Sequence, residues 1–324
     1  MVMRKYIFVS PKPIDESFFM ARAFDKTVCV FDRTLSKGWK RAYSILKHSG
    51  KDDVIICWDF STGIKIGCLN RLLNRHRRIV NVNMIDHEQK GYRILIKKVL
   101  YNYTFASKFF HFSANSKETL NEYKNRYESI DIQRTFELQD CFYGDEPVQV
   151  YSQGDGYVFC GGNIRDWDCY IKAAEMLPEV DFVGVASGKM RHIFNDIPSN
   201  LRMYWDVDLN DFYSMLRKCS ISVIPVPTNI TNGLIVIFQS ALLNRPIIAT
   251  KTPPIYNLLY DKEIKKTGGI MYEMNNSADL ADKIKFLLDN HEERRQQCMI
   301  MNQILMKHTP ECFSEALLKY VSKI

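Results

Sequence analysis

Apolar residues follow two rhythms along this chain. Short unbroken runs such as Tyr6-Ile7-Phe8-Val9 and Val54-Ile55-Ile56-Cys57 read as strands buried on both faces. Between them lie longer stretches with apolar residues three and four apart, the spacing of an amphipathic helix. On this basis strands are predicted at 5–10, 28–31, 53–58, 78–84, 109–113 and 130–138, and helices at 35–48, 64–74, 89–107 and 116–127. The polar, turn-rich segments Gly144-Asp145-Glu146-Pro147 and Gln153-Gly154-Asp155-Gly156 interrupt the pattern. It then restarts with strands at 157–160, 180–186, 201–204, 221–226, 246–249 and 268–272. Helices alternate with these at 167–177, 190–195, 209–218 and 234–243, and helical sequence runs from Ala278 to the end. Pro310 opens the last helix, where its missing N–H costs little.

Strands alternating with helices of this length imply βαβ units and parallel sheets. The interruption divides the 324 residues into an N-terminal domain, 1–150, and a C-terminal domain, 151–305. The terminal helix, 306–324, is expected to pack back on the first domain. The expected fold class is α/β, with two Rossmann-like domains whose parallel sheets face an interdomain cleft. Ligands of such sheets bind beyond the carboxyl ends of the strands, so that cleft is the default site. No apolar run reaches the ~18 residues of a membrane span, and the N-terminus lacks a signal-peptide core. The nine cysteines are odd in number and include no C-x-x-C pair. They read as buried thiols of a reducing, cytoplasmic protein, with no metal or catalytic role.

Charge is unevenly spread. Residues 1–150 hold 25 Lys and Arg against 17 Asp and Glu, and residues 151–324 hold 19 against 20, so the net +7 comes from the first half. Such a half meets something anionic, whether nucleic acid, acidic lipid or a phosphorylated substrate. Tyr92, Leu95, Ile96, Val99, Leu100 and Tyr103 form one helical stripe, with Lys90, Arg93, Lys97 and Lys98 at other positions. Arg71, Arg75, Arg77 and Arg78 add a basic cluster nearby. The segment reads either as a core stripe with a solvated face or as a membrane-surface patch.

Two turns are suited to anions. Gly161-Gly162-Asn163-Ile164-Arg165-Asp166 follows a strand and precedes a helix, so backbone can approach a ligand and Arg165 can fork onto a phosphate. The plain alternative is a strand–helix turn capped by Asp166. The strand at 221–226 likewise ends in a polar turn, and Asn232-Gly233 opens the helix that begins with Leu234. Two such turns in one sheet suit a diphosphate. Gln239, six residues past Gly233, could hydrogen-bond hydroxyls or be a partly buried helix residue. In the first half, Met84-Ile85-Asp86-His87 ends a strand at a carboxyl edge. His87 is a candidate cleft-facing residue, and Asp86 is its rival or a helix cap. The Asp166-Trp167-Asp168 and Asp206-Val207-Asp208 triplets could hold a divalent metal, but each precedes a helix and reads as a cap.

The segment Gln239-Ser240-Ala241-Leu242-Leu243-Asn244-Arg245-Pro246-Ile247-Ile248-Ala249-Thr250 is a helix, tight turn and strand without slack. With the two turns, it resembles the donor-binding half of GT-B glycosyltransferases of family 4 (group 1) over residues 155–290. That family's tight turn ends Gly-Lys-Pro-Val-Ile-Ala-Thr, against Asn244-Arg245-Pro246-Ile247-Ile248-Ala249-Thr250 here. Its two glutamates eight apart correspond to Thr231 and Gln239. The resemblance implies a retaining glycosyltransferase with a nucleotide-diphosphate sugar as donor and no bound metal or other cofactor. Gly161, Gly162 and Arg165 would lie at the diphosphate, with helix-start contacts from Asn232, Gly233 and Leu234. Thr231 would face the sugar, Gln239 the ribose, and the loop Trp205-Asp206-Val207 the base. His87 resembles the family's cleft histidine, so the catalytic candidates are His87, Asp86 and Arg165. The acceptor would be a glycan or polyprenyl-linked glycan in polysaccharide or glycoconjugate biosynthesis, met on the inner face of a membrane through the basic half. Rival readings are a nucleotide-sugar epimerase or non-catalytic binder of the same fold. A nucleic-acid-binding protein is a further rival, but no nucleic-acid motif is present, so no such partner is expected.

Overall fold

In a computed structural model the chain is described at residues 5–10, 20, 23–24, 27–30, 38–86, 91–142, 151–162, 164–229 and 232–324. His87, Thr231, the 144–147 turn and the predicted helix start at 35–37 lie outside the described residues. The chain forms two compact units, residues 1–141 with 310–324 and residues 142–309.

The first unit runs β1 (Tyr6–Val9), β2 (Thr27–Val30), α1 (Trp39–His48), β3 (Val54–Cys57), α2 (Phe60–Leu72), β4 (Arg78–Asn81), α3 (Arg93–Phe105), β5 (Phe110–Ala114), α4 (Lys117–Arg126) and β6 (Thr135–Glu137). The second runs β7 (Tyr157–Gly161), α5 (Trp167–Met176), β8 (Asp181–Ala186), β9 (Leu201–Trp205), α6 (Leu209–Lys218), β10 (Ile221–Ile224) and α7 (Leu234–Leu242). It continues with β11 (Ile247–Thr250), α8 (Pro253–Leu259), β12 (Tyr260–Asp261), β13 (Lys266–Thr267), β14 (Ile270–Tyr272), α9 (Ser277–Asp289) and α10 (His291–Leu305). The last helix, α11 (Pro310–Val321), belongs to the first unit.

The first sheet has six parallel strands in the order β2-β1-β3-β4-β5-β6. Successive residues of a strand point to opposite faces, which explains the unbroken apolar runs. Ile7, Ile55 and Cys57 meet α1, α2 and α4 on one face. Phe8, Val54, Ile56 and Val80 meet Phe313, Leu317 and Val321 of α11 on the other. Tyr320 of α11 stacks on Phe136 at 3.7 Å between ring centres. The strand predicted at 130–138 is shorter than expected. Asp131 accepts a hydrogen bond from Gln133 N and caps a 3-10 turn, Ile132–Arg134, so only β6 remains extended.

The stripe of α3 overturns the core reading. Tyr92, Leu95, Ile96 and Val99 are 60–71% exposed, and the helix buries Thr104 and Phe105 instead. Leu100 and Tyr101 pack partly against the core. Lys97 fixes this rotation, because it turns inward to pair with the buried Asp86.

The second sheet is also six-stranded and parallel, β14-β11-β10-β7-β8-β9. Trp167, Tyr170, Ala173 and Leu177 of α5 pack with Leu280, Ile284 and Leu287 of α9 in one core. Helices α7, α8 and α10 share another core with Ile224, Ile247 and Ala249. Helix α8 and the antiparallel β12–β13 pair lie where no element is predicted. The start of α8 was legible as a cap followed by prolines, since Thr252 accepts from Ile255 N and Pro253 opens the helix. Cys57, Cys141, Cys160, Cys169, Cys219 and Cys298 are buried free thiols, whereas Cys312 is exposed. Burial pushes Cys219 and Cys298 up to about 12, which keeps both as inert thiols.

Candidate functional site

In the second unit β7 and β10 are hydrogen-bonded neighbours, so the turns that follow them share one carboxyl edge. Asp166 N donates to the carbonyl of Pro225 at 2.8 Å, which ties the first turn to the end of β10. Val226 N in turn donates to Thr250 Oγ1 at 2.8 Å, and Thr250 Oγ1 donates to Tyr272 Oη at 3.0 Å. This relay braces the ends of β10, β11 and β14.

The two glycines of the turns are required by their surroundings. Gly162 has φ +124°, and a Cβ there would stand 2.6 Å from Arg165 Nη2. Gly233, the N-cap of α7, has φ +82°. A Cβ on it would stand 2.6 Å from Ile224 Cγ2 and 4.0 Å from Arg165 Nη1. The Arg165 guanidinium therefore lies beside both turns. Its Nη1 donates to the carbonyl of Ile164 at 2.8 Å, and its buried Nε has no hydrogen-bond partner. Among the described residues no carboxylate pairs with it. Burial pushes its pKa below the ordinary arginine value. A partly withdrawn cation whose buried Nε has neither partner nor counter-charge is costly. Beside it, α7 begins without a side-chain cap, leaving first-turn N–H groups to be satisfied from outside. Both features favour an oxygen-rich anion.

The other expected donor contacts are distributed as follows. Gly161 ends β7 with no room for a Cβ, which would lie 2.4 Å from Phe212. Asn232 is half-buried beside Gly233, and Leu234 is buried in the α7 core. Gln239 Nε2 donates to Tyr213 Oη at 2.9 Å and so links α7 to α6. Trp205, Asp206 and Val207 lie at the carboxyl end of the edge strand β9, with β8 between it and β7. Trp205 packs edge-on against Phe194 and beneath the Arg191 guanidinium. Asp206, at φ +50°, accepts from Gly188 N at 2.9 Å, and Val207 packs inward beside Phe159. Of the acidic triplets, Asp166 caps α5 and Asp208 caps α6, while Asp168 pairs with Lys172. Among the described residues no three His, Cys, Asp or Glu side chains converge as metal ligands. A cavity of about 630 Å³ lies away from these turns, lined by Tyr151, Asn244, His291, Cys298 and Asn302 beside the α7–β11 turn.

In the first unit Asp86 is buried, and its carboxylate is already engaged. It pairs with Lys97 of α3 and with Arg126 of α4 at 2.7 Å, and accepts from Tyr127 Oη at 2.9 Å. Among the described residues it caps no helix, since Tyr92 precedes α3.

Sequence reasoning missed a polar cluster at the ends of β4 and β5. Asn83, at φ +46°, and Asn115 both donate to Asp140, the latter at 2.7 Å. Ser113 Oγ donates to Asn83 Oδ1 at 3.0 Å. Burial raises the Asp140 carboxyl above its usual range. The signal was present in Asn81-Val82-Asn83 and Ser113-Ala114-Asn115, polar residues two apart where apolar strands end.

No family model and no curated protein matches the chain. Solved structures do. HepE of Anabaena, in complex with UDP, superposes with a TM-score of 0.73 at 12% identity, over 99% of this chain and 100% of that one. The N-terminal domain of Candida albicans trehalose-6-phosphate phosphatase gives 0.68 at 11% identity, over 99% and 96%. A glycosyltransferase from Rickettsia africae gives 0.64 at 10%, over 92% and 84%. Likeness at such identities is likeness of fold, and one fold hosts several chemistries. Two Rossmann-like units with parallel sheets, matched along nearly the whole chain, give this protein the GT-B fold.

Proposed function

We propose that this chain is a glycosyltransferase that takes a nucleotide-diphosphate sugar as donor. The observation that carries the reading is Arg165, a half-buried guanidinium with a buried, unpartnered Nε and no carboxylate pair among the described residues, set beside Gly162 and the uncapped start of α7. Its Nη groups and the first N–H groups of α7 would hold the pyrophosphate. As the glycosidic bond to the donor breaks, the same groups would stabilise the charge that grows on the leaving diphosphate. In this reading Thr231 faces the sugar, Gln239 the ribose through the part of its amide not given to Tyr213, and Trp205-Asp206-Val207 the base. HepE, of the same fold, has been solved with UDP and with UDP-glucose, which favours uridine as the base to test first. Retention of anomeric configuration, transfer without a bound metal, and His87 as the residue at the donor sugar or acceptor follow from the resemblance to family 4. The acceptor is a glycan or polyprenyl-linked glycan, met from the cytoplasmic side.

Titration calorimetry with UDP, GDP and ADP tests this. One diphosphate should bind the wild-type chain, and Arg165→Ala should weaken it about 10–100-fold, the worth of charge-assisted hydrogen bonds. The melting temperature should stay near the wild-type value. Equal affinity in the variant would sink the proposal. Donor consumed without transfer to any acceptor would instead favour an epimerase or a hydrolytic or non-catalytic binder.

A further inference from the structure

Helix α3 presents an apolar face to solvent. At 100° per residue, Tyr92, Leu95, Ile96 and Val99 fall on one side, opposite the side of Tyr101, Thr104 and Phe105 that meets the core. The four outward side chains are among the most exposed large apolar residues of the chain, and Leu72 at the end of the neighbouring α2 is exposed to the same degree. The charge around this face is mostly positive, and the exposed Glu128, 3.9 Å from Lys98 Nζ, is an acid at its border. Neither α2 nor α3 contains an acidic residue. Between residues 60 and 108 there are ten Lys and Arg against Asp86 and Glu88, and Asp86 is buried under Lys97 and Arg126. Arg93 and Lys98 flank the stripe on α3 itself. At the far end Arg71 lies 4.4 Å over the Tyr103 ring and donates to the Tyr103 carbonyl, with Arg75 exposed beyond it.

An apolar stripe on helices that carry no acid, bordered by an excess of cations, matches a surface that is apolar below and anionic above. We infer that α3 is an interfacial helix that lies on an anionic lipid membrane. Leu95, Ile96, Val99 and the Tyr92 ring enter the boundary between headgroups and acyl chains, while Arg93, Lys98, Arg71 and Arg75 meet lipid phosphates. These residues are separate from the proposed donor site, so the inference stands or falls independently of the donor chemistry.

Co-sedimentation of the full chain with vesicles tests it. Vesicles of equal parts phosphatidylcholine and phosphatidylglycerol should pellet the protein, phosphatidylcholine alone should not, and rising salt should release it. Leu95→Ser combined with Val99→Ser should weaken binding by about tenfold or more. Arg93→Gln with Lys98→Gln should weaken it and flatten its salt dependence. Both pairs sit on exposed positions, so circular dichroism and the melting temperature should match the wild type. No pelleting with anionic vesicles, or equal pelleting of the Ser pair, would overturn the inference. So would a solution dimer that the Ser pair converts to monomer, since the face would then belong to a second copy of the chain.

Discussion

Gly162 lies against the guanidinium of Arg165, which pairs with no carboxylate among the described residues. Its positive φ already disfavours any side chain, and a Cβ would sit 2.6 Å from Arg165 Nη2. Arginine is flexible, so Gly162→Ala would be accommodated mainly by displacing the guanidinium. The stability cost should stay near the ~1–2 kcal/mol of a left-handed residue, while nucleoside-diphosphate affinity falls about tenfold or more. Gly156 provides the control. It has φ +89° with nothing within 4 Å of a Cβ, so Gly156→Ala should carry a similar backbone cost and leave affinity unchanged. Calorimetry and thermal melts on both variants check this, and equal affinity losses would rule out a local role for Gly162. The paired glycines were visible in the sequence as a turn. Which of them faces Arg165 was not, because the sign of φ and the approach of α7 are set by β10, some sixty residues on.

At the scale of elements, Asp86 is the fastening point of the first unit's carboxyl edge. One buried carboxylate holds Lys97 of α3 and Arg126 of α4, and Tyr123 Oη donates to the Met84 carbonyl two residues before it. Removing the acid would take the buried counter-charge from a largely buried lysine and leave the half-buried Arg126 paired only with the partly exposed Glu122. Asp86→Ala should therefore lose about 3–5 kcal/mol, the cost of breaking a buried pair from one side. Asp86→Asn should lose less, since it can still accept from Tyr127. Urea unfolding monitored by circular dichroism would measure both, and a loss under about 1 kcal/mol for Asp86→Ala would mean that the network contributes no more than a surface pair. The same network shows why the helices were legible in sequence and their rotation was not. The spacing of Leu95, Ile96, Val99 and Tyr103 announced α3 correctly. Periodicity gives a stripe without a direction, and the direction came from Lys97 reaching back eleven residues to Asp86.

For the molecule as a whole, alternation of apolar strands and helices was enough to read two parallel sheets, because parallel strands need helical crossovers. Strand order was not readable, since β1 lies between β2 and β3, and β10 beside β7, through pairings between distant segments. The chain also returns to its first unit after completing the second, and α11 then covers a face of the first sheet. His111 of β5 meets this returning helix through Nδ1 and Tyr320 Oη, 2.9 Å apart. Burial, reinforced by Arg134 and Arg78, lowers its pKa from 6.5 to about 4. The unfolded chain would take up this proton near pH 6.5 and the folded chain only near 4, so between these values the unfolded state holds more protons. Stability must then rise with pH across that window and be lost as pH falls through it. At pH 5 the loss from this one group is about 2 kcal/mol relative to pH 7. His111→Gln removes the titrating ring while keeping a polar side chain, so its unfolding free energy should fall less than that of the wild type between pH 7 and pH 5. Denaturation curves at the two pH values measure the difference directly. Parallel losses in the two proteins would show that the α11 contact is not held by a neutral histidine and that the acid sensitivity of the first unit lies in its carboxylates.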